Sequence, residues 1–178
     1  MNTASSAIDG ISSALAGRGY LVGASPLQTG LLATRRGHSF GPFLPYTDYL
    51  YIHDLSSAAA PATGFEQLHE QARAFSESQF RLPRPLRYHI PNTVSIAVSQ
   101  DGLSEETVAF AQKRKLRSHL DGGEKNSTYA FDLVARKWYS QGPEATPVRY
   151  GGTIVSPVNP TNRILELMEQ LAKSLFEH

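Results

Sequence analysis

Hydrophobic and polar positions along the chain follow the spacing of helices in some segments and of strands in others. Near the N-terminus, Ile8, Ile11 and Leu15 share one helical stripe, which the glycines at 17 and 19 end. The same pattern predicts strands at 20–24, 31–35 and 49–55, a helix from Thr63, a strand at 94–98, a helix capped by Ser104, strands at 129–139 and 153–156, and a last helix starting at Asn159 and Pro160.

The helix capped by Ser104 has charges that complement a helix dipole at both ends. Glu105 and Glu106 stand in its predicted first turn, and residues 113–115, all basic, stand in its predicted last turn. We therefore expect this helix to run through the basic residues.

The order of these elements predicts the fold class. Helix, three strands, helix, strand, helix, two strands and helix is typical of an α/β fold with a mixed central sheet and helices on both faces. The chain has 178 residues, so we expect residues 1–178 to form a single domain.

Composition narrows the class of protein further. Hydrophobic residues make up 40% and charged residues 19%, which excludes collagen, coiled coil and wholesale disorder. The net charge of +1 gives no global field toward nucleic acid or membrane, and the absence of cysteine excludes disulfides, thiolate catalysis and cysteine zinc sites. With no signal-peptide, lipidation or spanning pattern, we expect a cytoplasmic protein that does not bind membranes.

Two segments resemble a known family. Val94 to Ala111, an apolar strand followed by a turn and a Ser-capped acidic helix, resembles the corresponding unit of Mrr-type restriction endonucleases. The first helix, ending in Arg18-Gly19-Tyr20, is similar to the start of that family. The resemblance covers residues 1–115 and implies a restriction-endonuclease-like core, and with it metal-dependent cleavage of nucleic acid.

The sequence departs from this family at its catalytic positions. Nucleases of this family carry an acidic residue at the end of one hairpin strand, and a carboxylate or glutamine two residues before a lysine on the next. Metal-assisted hydrolysis requires a divalent cation, and these enzymes also need a positive group beside the attacking water. The second strand region has Gln28, Thr29 and Gly30 instead of an acid, and no lysine precedes Lys113. We therefore expect the family's standard nuclease site to be absent.

A displaced active site is the alternative. Asp48 and Asp54, with His38 and His53 nearby, are candidate metal ligands, although an extended strand would hold the two carboxylates about 20 Å apart. Further candidate catalytic residues are Asp121, Glu124 and Lys125, which surround a Gly-Gly pair that is also typical of an ordinary turn. Mg²⁺ or Mn²⁺ is expected only for this alternative, and otherwise no cofactor is expected.

Basic residues are concentrated between positions 81 and 119, a segment that contains seven basic and three acidic residues. The candidate nucleic-acid contacts are Arg81, Arg84, Arg87, Lys113, Arg114, Lys115 and Arg117. The alternative is that the basic groups complement a helix dipole and stay solvated.

Aromatic residues are dense in and after the Gly/Pro-rich stretch that precedes the third strand. Phe40, Phe43, Tyr46, Tyr49 and Tyr51 either anchor a partner at an interface or cap one end of the core. Before them, Arg35 and Arg36 suit an acidic or phosphate group, or protect a sheet edge.

Three hypotheses on function follow from these residues. The first is a non-catalytic restriction-endonuclease-like domain that acts as a binding or assembly subunit, with a protein as its expected partner. The second is a metal-dependent nuclease or other phosphoester-acting enzyme with a displaced active site. The third is a nucleic-acid-binding module that uses the basic residues between 81 and 119.

Overall fold

The fold is described from a computed structural model of the chain. The structure describes residues 4–27, 30–39, 44–56, 64–80, 90–113, 125–140, 148–150, 153–155 and 160–176. The elements are α1 (Ala4–Ala16), β1 (Leu21–Ala24), β2 (Leu31–Ser39), β3 (Leu44–Asp54), α2 (Phe65–Ser78), β4 (Ile90–Ser99), α3 (Glu105–Gln112), β5 (Lys125–Asp132), β6 (Lys137–Ser140), β7 (Val148–Tyr150), β8 (Thr153–Val155) and α4 (Pro160–Phe176).

Six strands form one mixed sheet in the order β1-β2-β3-β4-β5-β6. β1, β2 and β3 form an antiparallel meander, β4 and β5 are parallel to β3, and β6 returns antiparallel to β5. Each parallel connection passes through a helix, as crossovers in mixed sheets require, with α2 before β4 and α3 before β5. β7 and β8 pair with each other in a separate two-stranded sheet.

Helices cover both faces of the large sheet, so the predicted α/β class is confirmed. α1 and α4 pack on one face over a large apolar cluster that includes Leu50, Ile96 and Phe131. α2 and α3 pack on the other face over a smaller cluster around Phe65 and Phe110. Successive residues of a strand point to opposite faces, so a residue's position in β3 decides which helix pair it meets.

β2, β3 and β4 are longer than the strands predicted at 31–35, 49–55 and 94–98, because their ladders continue to the pairs Ser39–Leu44 and Tyr46–Ile90. Two further predicted elements also differ from the structure. The single strand expected at 129–139 is two strands, because Asp132 accepts hydrogen bonds from the backbone N–H groups of Val134 and Ala135 and forms a turn. The helix after Ser104 begins as predicted, with the Ser104 hydroxyl accepting from the Thr107 N–H at 3.2 Å. It ends at Gln112, before the basic run, because Lys113 already has an extended backbone.

The last helix begins at Pro160, as the Asn-Pro pair predicts. Its apolar stripe, Ile164, Leu167, Met168 and Leu171, is buried against the sheet and α1. Among the described residues, no helix is both long enough and apolar enough to cross a membrane.

Candidate functional site

A row of polar residues crosses the sheet on the face covered by α1 and α4. In the strand register, Arg35 of β2 lies opposite Asp48 of β3, and Asp48 lies opposite Asn92 of β4. The row lies where the three parallel strands begin, and apolar core residues follow it along the same face.

Asp48 is the centre of this row, and its side chain is fully buried. Its Oδ1 accepts a hydrogen bond from Asn92 Nδ2 at 2.9 Å. Its Oδ2 accepts from the Tyr20 hydroxyl at 2.9 Å and from Arg163 Nη2 at 2.6 Å. Because a buried carboxylate must be paired and hydrogen-bonded, these donors explain how Asp48 is tolerated inside the protein.

Tyr20 follows the turn that ends α1, and its hydroxyl reaches Asp48. Burial and the negative charge of Asp48 raise the pKa of Tyr20 to about 12. The hydroxyl therefore stays protonated and donates to Asp48. It also accepts a hydrogen bond from Arg163 Nη1 at 3.1 Å, so Tyr20, Asp48 and Arg163 form a closed network.

Arg163 belongs to the first turn of α4, where the helix dipole disfavours a positive charge. Burial opposes its charge, but Asp48 more than compensates, and the pKa of Arg163 is raised. The guanidinium carbon also lies 4.9 Å from the centre of the Tyr46 ring, within the range of a cation–π contact. Arg163 is thus held by a carboxylate, a hydroxyl and an aromatic ring.

Beside this network is a cleft of about 130 Å³. We call it the arginine cleft, because the guanidinium groups of Arg18, Arg35 and Arg163 line it together with Tyr20. Its other polar lining residues are Glu166 and Gln170 of α4.

Two of the cleft arginines are held in place by neighbours. Arg18 donates to the carbonyl oxygen of Ala14 at 3.1 Å and to the side-chain oxygen of Gln170. Arg35 lies with its guanidinium carbon 5.6 Å from the centre of the Tyr20 ring. Within the described part of the chain Arg35 has no ion pair, although Glu166 also lines the cleft.

This arrangement of arginines is suited to holding an anion. Planar guanidinium groups match carboxylate and phosphate oxygens, which they bind through paired N–H donors. The buried carboxylate of Asp48 already accepts three hydrogen bonds. Among the described residues, no group of three or more histidine, aspartate or glutamate side chains could hold a metal ion.

The structure does not bring the sequence-predicted metal ligands together. Asp54 is the last residue of β3, whereas Asp48 lies in the middle of the strand, and Asp54 accepts from the Ser56 N–H at 2.9 Å in a local turn. His53 points to the other face, against Phe65 of α2, and burial lowers the pKa of His53 to about 4. Exposed His38 lies on β2, in register with Pro45.

Of the second predicted set, Asp121, Glu124 and the Lys125 side chain lie outside the described residues. The hypothesis that they form a displaced active site stays a prediction.

Most of the predicted basic patch also lies outside the described residues, namely Arg81, Arg84, Arg87, Arg114, Lys115 and Arg117. Lys113 is described, and its exposed ammonium lies 3.6 Å from Glu66 of α2. Lys113 therefore lies on the α2 and α3 face, across the sheet from the arginine cleft.

Of the three described residues in the predicted aromatic set, two are buried and one is half-buried. Tyr51 is fully buried and its hydroxyl lies 3.0 Å from the Ser76 hydroxyl. Tyr46 is 7% exposed beneath Arg163, and Tyr49 is half-buried. Phe40 and Phe43 lie outside the described residues.

Sequence reasoning identified Arg35 and Asp48 but not Tyr20, Asn92 or Arg163. One signal for Arg163 was present, since an arginine in the first turn of a helix needs a nearby carboxylate to offset the dipole. Nothing in the sequence indicated which carboxylate, because Arg163 and Asp48 are 115 positions apart.

Comparison of the chain with family models finds no match, and comparison with curated proteins and with solved structures finds no significant similarity. The resemblance to restriction endonucleases therefore stays a prediction, and the site itself is the basis for inferring a function.

Proposed function

We propose that this chain is a non-catalytic binding domain that holds an anionic group of a partner in the arginine cleft. The observation that carries this proposal is the contrast between Asp48 and Arg35. The central carboxylate is buried and fully hydrogen-bonded, while the guanidinium opposite it in the strand register faces the cleft. Among the described residues of the site, Arg35 therefore has donors outside any ion pair, and three arginines line the cleft against one carboxylate, that of Glu166.

The geometry favours an anionic oxygen group, either phosphate or carboxylate. The Tyr20–Asp48–Arg163 network fixes one wall of the cleft, so the arginines are already oriented before a ligand arrives. Such preorganisation reduces the entropy cost of binding. The only carboxylate among the cleft-lining residues is that of Glu166.

Titration with inorganic phosphate, followed through the arginine Nε–Hε signals in NMR spectra, tests this proposal. Binding should shift the signals of Arg35 and Arg163, and Arg35→Gln should weaken it about tenfold, because one charge-assisted interaction is lost. Arg35 is the residue to change, since its described contact is a ring and its loss leaves the Asp48 network intact.

Arg73→Gln is the matched control, because Arg73 lies on α2 across the sheet and pairs with Glu70 at 2.9 Å. It should bind phosphate like the unaltered chain. Equal loss in Arg73→Gln and Arg35→Gln, or shifts that avoid Arg35, would refute the arginine cleft as the site.

A further inference from the structure

The edge of the sheet beside the arginine cleft is stepped. β1 pairs only with residues 31–34 of β2, whereas β2 continues to Ser39. β1 cannot extend further, because the chain turns at Gly19, with φ at +80°, and joins α1. No described strand pairs with the outer side of residues 35–39 of β2, which we call the open β2 edge.

The backbone groups that face outward along this edge follow from the strand register. The Ser25 N–H donates to the Gly30 carbonyl at 3.1 Å, so this opposite pair is hydrogen-bonded. Hydrogen-bonded pairs recur at every second residue of an antiparallel ladder. Leu32 and Thr34 therefore direct their backbone groups to β1, and Arg36 and His38 direct theirs to the same side, beyond the end of β1.

The side chains at the open β2 edge place a positive charge on each face of the sheet. Arg35 lies on the cleft face, over Tyr20. Arg36 is exposed on the other face, where its charge partly offsets the burial that raises the pKa of Tyr49. Residues 31–39 include no acidic side chain.

We propose that the open β2 edge accepts an extended, acidic segment of a partner protein as an added strand, with one of its carboxylates in the arginine cleft. This inference rests on the proposed function and names its partner. Strand addition uses the outward N–H and C=O groups of Arg36 and His38, and opposite charges across strands add to it.

Charge complementarity selects this occupant over the alternatives. A second copy of the chain pairing at this edge would set arginines against arginines, which is the device by which proteins prevent edge pairing. A nucleic acid could use the guanidinium groups, but it has no strand backbone to match the alternating donors and acceptors of Arg36 and His38.

The experiment uses a short synthetic peptide in which threonine alternates with glutamate, and measures amide hydrogen exchange and peptide affinity by NMR. Saturation with the peptide should slow exchange at Arg36 and His38 by about tenfold. The same peptide with glutamine in place of glutamate, or with N-methylated backbone amides, should bind at least about tenfold more weakly.

His38→Pro is the decisive variant, with His38→Ala as its matched control. Proline removes the outward N–H and is tolerated where an edge strand faces solvent. His38→Pro should weaken peptide binding about tenfold and leave phosphate binding unchanged, whereas His38→Ala should change neither by more than about twofold.

The outcomes separate the two proposals. Phosphate binding at Arg35 without slowed exchange at Arg36 and His38 overturns the strand addition and leaves the cleft proposal standing. Equal binding of the N-methylated peptide, or a DNA duplex that competes for Arg35 where the peptide does not, also overturns it. If neither phosphate nor peptide perturbs Arg35, both proposals fail.

Discussion

Arg163 Nη2 lies 2.6 Å from Asp48 Oδ2, and this ion pair joins the first turn of α4 to a central strand of the sheet. The Asp48 side chain is fully buried and that of Arg163 is 29% exposed, so the pair is only partly screened by water. The same contact neutralises the central carboxylate and orients a cleft arginine. The structural and binding roles of Arg163 are therefore coupled.

Removing either charge should destabilise the fold, because the other is left in a poorly solvated position. We expect Asp48→Asn and Arg163→Met each to lower the free energy of unfolding by about 3 kcal/mol, measured by urea denaturation. The double variant should lose about as much as one single variant, since the interaction is already absent.

Tyr20→Phe is the comparison for these single and double variants, because it removes one hydroxyl from the network and no charge. Its cost should be about 1 kcal/mol. Strictly additive losses in Asp48→Asn and Arg163→Met would show that the two residues do not interact in solution.

Gly37 permits the position of the Tyr46 ring, and a larger residue there should disturb Arg163. A Cβ atom on Gly37 would lie 2.4 Å from the Tyr46 hydroxyl oxygen and 2.5 Å from Cζ. Gly37→Ala should therefore displace the ring from Arg163 and cost about 1–3 kcal/mol of unfolding free energy. In a Tyr46→Leu background the same change should cost less than half as much, and an equal cost in both backgrounds would contradict this role.

The order of elements could be predicted because each depends on local residues. The Asn-Pro pair before α4 and the Ser104 cap before α3 act within one helical turn, and both helices begin where these residues predict. Two of the misjudged boundaries also have local causes. The Asp132 side chain closes a turn inside an apolar run, and Lys113 leaves the helix although its charge suits the dipole.

The site could not be assembled in the same way. Asp48 meets Tyr20 and Asn92 across separations of 28 and 44 residues, which only the sheet register and the docking of α1 determine. Arg35 was recognisable as a candidate anion ligand from its charge beside a loop. That it lies opposite a buried carboxylate, at a point where β1 no longer covers β2, depends on tertiary structure alone.

Buried His53 should make the stability of the protein depend on pH. The pKa of His53 is about 4 in the folded chain, against its usual value of 6.5, because burial disfavours the charged ring. Between these values the unfolded chain binds a proton that the folded chain does not. The contribution of neutral His53 to the free energy of unfolding is therefore fully present above pH 6.5. It is lost as the pH falls toward 4, by up to about 3 kcal/mol.

Urea denaturation across this pH range, with and without His53, measures the effect. The His53 ring stacks on the Tyr51 ring, with 6.4 Å between the ring centres, and contacts the Phe65 ring edge-on. His53→Phe therefore keeps an aromatic ring in this aromatic environment. The variant should lose less stability than the unaltered chain as the pH falls from 6.5 to 4. An unchanged pH dependence in His53→Phe would assign the effect to other groups.

Substitution of Gly30 tests whether the turn before β2 holds the meander of β1, β2 and β3 in register. Its φ of +71° is in the left-handed region, and a Cβ atom there would lie 1.7 Å from the Ile52 carbonyl oxygen of β3. Gly30→Ala should cost at least about 2 kcal/mol of unfolding free energy, since neither backbone can move without breaking ladder hydrogen bonds. Gly23→Ala is the control, because a Cβ atom there meets nothing within 4 Å, and its effect should stay within about 0.5 kcal/mol. Equal stability of the two variants would mean that the approach of Gly30 to β3 is looser in solution, and the register that places Arg35 opposite Asp48 would then need another anchor.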